Sequence, residues 1–259
     1  MAYLHRGSRS WADYRGWRPS GSEYGAAAFG RVSLGEPVFA INCPDPPGCA
    51  PADAGQCRAI LRQAVRNAIE LAENAANKLE ALDPSKGPAD PSTQAERDKT
   101  AKFFKAFFGH PPSHPIPWAN GEDSAISVIK RFRAVANALK KGGRNVTFRC
   151  LPATAGCPND MTCCRTVAVA RIHPDARNTV FLCPLFWDPP TFPGLSTVAF
   201  RGSTILHEML HLLFIEFLRH HEQARRANAF CYHVFALRIA GYGVPADDRC
   251  FCRTGAPCA

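Results

Sequence analysis

The chain has 259 residues, 46% hydrophobic and 20% charged, which excludes wholesale disorder and suffices for one substantial core. Its formal charge of +9 is spread over stretches such as "RQAVR", "KRFRAVANALKK" and "EQARR", each reading as the solvated side of a helix; no basic stripe interleaves with aromatics, so no nucleic-acid partner is expected. Twelve cysteines in Pro/Gly-rich surroundings favour disulfides and an oxidising compartment over a zinc knuckle, because "CPNDMTCC" and "CFC" lack paired C-x2-C halves.

Residues 1–35 are rich in Gly, Ser, Arg and aromatics without periodicity and read as a loose leader, leaving 36–259 as one domain. No signal-peptide core and no membrane-length apolar run is visible. "EPVFAINC" is strand-like. From Ala54 to Leu82 apolar residues recur at three and four, the mark of one helix face, and "DPSKGPADPS" ends it. A helix is expected over Thr93–Phe108, stopped by "GHPPSHPIP", and another over Ser124–Leu139, stopped by "KKGG". "NVTFRC", "RTVAVARI" and "NTVFLC" are β-branched runs of strand length and predict a small sheet. A histidine-bearing helix follows, then a helix over Gln223–Ile239 and a cysteine-bearing tail.

The histidine helix, within "RGSTILHEMLHLLFIEF" (201–217), contains His207, Glu208 and His211 in H-E-x-x-H spacing. Residues four apart stack on one helical face, so two imidazoles can meet one metal ion. The glutamate points beside that ion, where it can take a proton from water and pass it to a leaving amine. The surrounding residues are apolar on every side, so the helix is expected to be buried, and three buried polar groups need partners. A Zn2+ ion, held by protein ligands that leave one position open, would supply them.

"NTVFLCPLFW" leading into "STILHEMLHLLF", with "ARRANAFCYHVFALRIAG" beyond, resembles the deuterolysin-type zinc endopeptidases called aspzincins, which include a lysine-specific branch. The resemblance extends upstream through an Ala-rich helix, a "FFG" segment and "FRAVANALKKGGRNVTFRC", and covers roughly 40–240. It implies that His207 and His211 bind zinc and that Glu208 is the general base. The family takes its third ligand from the aspartate of a "G-T-x-D-x-x-Y-G" motif, and the span from Leu212 to Ala227 contains neither that motif nor an aspartate. Glu216, His220, His221, Glu222, Cys231 and His233 are the possible replacements. Glu216 falls away from the metal face, His220 and His221 suit a solvated turn, and Cys231 suits a disulfide. His233 is therefore the expected third ligand, with Glu222 as the alternative. Tyr232 is a candidate for polarising the scissile carbonyl, or else a core residue.

These readings converge on an α+β, zincin-like metallopeptidase domain, mostly helical, with a small β-sheet beside the H-E-x-x-H helix whose edge could receive an extended peptide. The expected function is a secreted, monomeric zinc endopeptidase that hydrolyses protein or peptide substrates with a metal-activated water, away from membranes. Two alternatives stay open: a catalytically degenerate zincin serving as a binding module, and a peptidase effector or toxin delivered into another cell.

Overall fold

The computed structural model describes residues 40–42, 54–83, 91–109, 111–113, 124–140, 146–151, 164, 169–172, 176, 178–189, 191, 194–214 and 229–243. The expected leader and the stretch bearing Glu216, His220, His221 and Glu222 lie outside them. In chain order the elements are β1 (Ala40–Asn42), α1 (Ala54–Glu80), α2 (Pro91–Phe108), α3 (Ser124–Leu139), β2 (Thr147–Cys150), β3 (Ala170–Ile172), β4 (Thr179–Leu182), α4 (Pro184–Trp187), α5 (Thr197–Leu213) and α6 (Ala229–Ile239). The architecture is α+β and mostly helical, as the periodicities predict.

The sheet runs in the order β1-β2-β4-β3. β1 pairs in parallel with β2, β2 in parallel with β4, and β3 closes the sheet antiparallel to β4. The parallel β1–β2 step requires a long crossover, and that crossover carries α1, α2 and α3. Side chains alternate between the faces with period two. Phe148, Val180 and Leu182 enter the main core with the helices, whereas Phe181 and Cys183 join Leu151 and Cys164 in a second cluster on the opposite face. The Cys164–Cys183 disulfide staples that cluster. Cys57, Cys150 and Cys231 are also disulfide-bonded, so no described cysteine is free, in line with the reading of the cysteines as cystines.

Alanines line the buried face of α1 at 64, 68, 72, 75 and 76; their small side chains let neighbouring helices approach, and α1 packs on both α3 and α5. At Gly202 of α5 a Cβ would stand 2.2 Å from Asn67 Oδ1 of α1. A glycine inside a helix ordinarily weakens it; here it makes room for the crossing. An aromatic cluster fills the helical half. Phe235 of α6 lies 5.9 Å from Phe107, 5.3 Å from Phe108 and 6.2 Å from Phe132, ring centre to ring centre.

Three local features go beyond the sequence reading. The β-branched run "RTVAVARI" contributes described strand only over its last three residues, Ala170–Ile172. The apolar "PLFW" directly after β4 forms the short helix α4. Pro184 has no N–H for a ladder and suits a first helical position, and Phe186 N–H closes the turn on Cys183 O at 2.9 Å. The histidine helix begins earlier than its motif, at Thr197, where Ser196 Oγ caps it by accepting from Ala199 N–H at 3.2 Å.

Candidate active site

α5 is buried along most of its length because its neighbours surround it: α1, α3 and α6 on the helical side and β3 and β4 on the sheet side. Its polar residues are therefore forced to find partners. In the first half they find them locally. Ser203 and Thr204 both donate to Phe200 O, at 2.9 Å each, and Arg201 reaches back to donate to Phe186 O at 2.8 Å and to Trp187 O, closing the end of α4.

In the second half the polar groups turn to one another. The rings of His207 and His211, one helical turn apart, sit with centroids 4.6 Å apart, and their Nε2 atoms face each other at 3.1 Å. Two imidazole nitrogens at that distance must share a proton or a cation between them. Burial pushes His211 down to about 4, which keeps its ring neutral at physiological pH, the form that ligates a metal. Glu208, 6% exposed, is pushed up to about 8 by burial, with the positive charge of Arg171 on β3 pulling partly the other way.

His233 comes from α6 and is 1% exposed. Its ring packs edge-on against Phe230, 4.8 Å between centroids, and against His207, 5.0 Å away. The polar contact runs from His233 Nδ1 to His207 Nδ1 at 3.0 Å. His233 therefore meets His207 at the nitrogen opposite the one that faces His211. Among the described residues no group of three His, Cys, Asp or Glu side chains forms a complete metal-binding set. Glu222, the alternative third ligand, lies outside the described residues.

Tyr232, the neighbour of His233, is placed in the aromatic core, 5.0 Å from Phe108 and 5.4 Å from Phe132. Its hydroxyl accepts from Arg131 Nη1, so its surroundings match the core role considered for it and not the polarising one. Arg131 itself corrects the sequence reading. "KRFRAVANALKK" reads as a solvated face, yet Arg131 is 6% exposed, and its guanidinium lies 5.5 Å from the Tyr232 ring centre and 5.7 Å from that of Phe214. The neighbouring Lys130 is exposed and Arg133 half-buried, and only the spacing of Arg131 three residues after Val128 and four before Val135 hints that it faces inward. Arg171 was equally hidden, in a run that reads simply as a strand.

His207 and His211 supply two of the donors that a zinc ion takes. The two imidazoles converge through Nε2, and a buried carboxyl stands next to them on the same helix. The model of a family described as lysine-specific metallo-endopeptidases, the aspzincins, matches residues 93–224, just over half of the chain and the stretch from α2 through α5. The chain belongs to the aspzincin family. The family resemblance expected from the sequence is thereby borne out. Among solved structures, a zinc peptidase from Grifola frondosa is similar at 16% identity and a TM-score of 0.39, over 71% of this chain and 96% of that one. None of the curated proteins matches this chain. No helix among the described residues is long and apolar enough to cross a membrane.

Proposed function

We propose that this aspzincin is an extracellular zinc endopeptidase in which His207 and His211 hold the metal through Nε2 and Glu208 moves the proton. The observation that carries the reading is the 3.1 Å approach of the two Nε2 atoms, with Glu208 adjoining them in the chain. Bound there, zinc would act as a Lewis acid toward the substrate carbonyl and the attacking water. Without metal Glu208 keeps its proton up to about 8; the positive charge of a bound zinc would favour its carboxylate, which can then accept the proton of that water and return it to the leaving amine. The apolar wall around Glu208 excludes bulk water, so the proton is not exchanged away between the two transfers. β3, the outer strand beside α5, offers backbone groups along which an extended peptide can add as a further strand.

Because His233 sits at the far nitrogen of His207, Glu222 becomes the favoured third ligand. Disulfides at five described cysteines support an oxidising, extracellular setting. A second reading, a degenerate member that binds without cutting, draws support from the absent aspartate motif between Leu212 and Ala227.

One experiment separates the two. Purified protein is assayed for zinc and for cleavage of an unfolded protein substrate, with Glu208→Gln as control. About one zinc per chain, with cleavage lost in Glu208→Gln, supports the peptidase. Zinc without cleavage favours the binding module, and equal cleavage by the variant refutes the role of Glu208.

A further inference from the structure

We infer that His233 is a positioning residue for His207: it takes the Nδ1 proton of His207 in a hydrogen bond and so fixes the tautomer that leaves Nε2 open for the metal. The inference rests on the metal reading of His207 and His211 and adds a residue to it.

The argument begins with the two distances. His233 Nδ1 lies 3.0 Å from His207 Nδ1, and His207 Nε2 lies 3.1 Å from His211 Nε2. The nitrogens of one imidazole face away from each other across the ring. An ion shared by His207 and His211 therefore lies on the side of the His207 ring opposite His233, which touches His207 from behind.

A contact between two Nδ1 atoms holds one proton, and its ownership decides what His207 can do. If the proton belongs to His233, His207 accepts at Nδ1 and must carry its own proton on Nε2. That proton points at His211 and blocks the lone pair. If it belongs to His207, then Nδ1–H donates to His233 and Nε2 is left with a lone pair facing His211. Only the second arrangement can ligate. It requires His233 to present Nδ1 unprotonated, with its proton on Nε2.

The fold fixes the ring of His233 in place. It is 1% exposed, wedged edge-on against Phe230 and carried by α6, whose packing against α5 and the aromatic cluster fixes its height along the zinc helix. Metal-bound histidines generally donate their second N–H to a carboxylate, a carbonyl or water. A buried imidazole supplies the same acceptor without placing a further charge in an apolar wall.

The test uses the full chain, loaded with Zn2+ or Co2+, and three forms: wild type, His233→Leu and His233→Asn. His233→Leu removes the acceptor while filling the space, and His233→Asn offers an amide oxygen in its place. Metal affinity is expected to fall about ten- to a hundredfold in His233→Leu and to recover in large part in His233→Asn. The cobalt absorption bands at saturation should be the same in all three forms, because no ligand has been lost. Unchanged affinity in His233→Leu, or cobalt bands that shift on substitution, would overturn the inference, the latter by making His233 a ligand. Long-range 1H–15N spectra of the metal-free wild type give a readout independent of metal loading and of variant folding. The shared proton is expected on Nδ1 of His207, with Nδ1 of His233 unprotonated, and a proton carried by Nδ1 of His233 overturns the inference. Failure of wild type to bind either metal, with that shared proton present, would instead sink the metal reading and leave a structural histidine pair.

Discussion

The two halves of α5 bury polar side chains in opposite ways. From Ser196 to Thr204 four polar side chains are settled by nearby backbone atoms: Ser196 caps, Ser203 and Thr204 bond Phe200 O, and Arg201 closes α4. From His207 to His211 the two imidazoles face each other, and ionisation is displaced: His211 is held neutral, and Glu208 holds its proton to about 8. The same helix in the same core thus contains a half arranged for packing and a half arranged for chemistry. Burial that serves only stability satisfies its polar groups locally. Burial that costs stability without local satisfaction marks a place where something else completes the set.

The largest effect should come from the second half. Glu208→Gln keeps the size and the burial but removes the proton carrier, so peptide cleavage should fall by about a hundred- to ten-thousandfold while zinc content stays at the wild-type level. The same substitution should also show what the carboxyl costs the metal-free fold. The folded pKa of Glu208, about 8, is raised above its ordinary 4.5. The folded state therefore holds a proton that the unfolded chain has released, and this contribution is fully present below pH 4.5 and is lost as pH rises toward 8. Urea unfolding in chelator should show wild-type stability declining across that window more steeply than Glu208→Gln. Parallel curves would remove the contrast between the halves.

The first half is probed at the α1–α5 crossing. Gly202→Ala places a Cβ 2.2 Å from Asn67 Oδ1, with Asn67 Cγ and Cβ at 2.8 and 2.9 Å. Because Asn67 Cβ is itself in the way, a simple rotation does not clear it. Asn67 is also tied to Tyr242 and Glu70 by side-chain hydrogen bonds. Overpacking of this kind costs about 1–3 kcal/mol. Thermal and urea unfolding should both report it, and Asn67→Ala in the same chain should recover part of the loss by opening the space, a coupling that a double-mutant cycle measures. Additive effects would mean that the helices simply move apart.

Much of this arrangement was legible in the chain. Helical periodicity placed α1, α2 and α3 within a few residues, and β-branched runs placed β2 and β4, because both signals are local and strong. The H-E-x-x-H spacing, with its apolar flanks, located the buried histidine helix, and His233 does lie against His207. What could not be read was pairing at a distance. Nothing in "AIN" tells that β1 lies parallel to β2 across three intervening helices. Nothing in "RGSTI" tells that Gly202 is opposite Asn67. Spacing brought His233 to the right ring, but which of the two nitrogens it meets depends on helix–helix geometry, and that difference separates a ligand from a support. Arg131 was hidden for a related reason: a long basic side chain among other basic residues reads as solvent-facing, and its burial is decided by Tyr232 and Phe214, which approach from other elements.

The smallest effect is expected at Thr204, and it is the sharper test of the contrast. Its hydroxyl is 2.9 Å from Phe200 O, and the residue is 3% exposed, so Thr204→Val exchanges a buried hydroxyl for a methyl of similar shape. Phe200 O loses one donor but keeps Ser203 Oγ at 2.9 Å and the helical N–H four residues on, so no acceptor is orphaned. The hydroxyl's own desolvation cost disappears with it, and the net change should lie within about 1 kcal/mol. Zinc affinity should not move at all, because the bond that is lost closes within one turn and never reaches His207. A loss well beyond that size, or a weakened metal site, would show that the polar groups of the first half also serve the second, and that the helix is one functional unit instead of two.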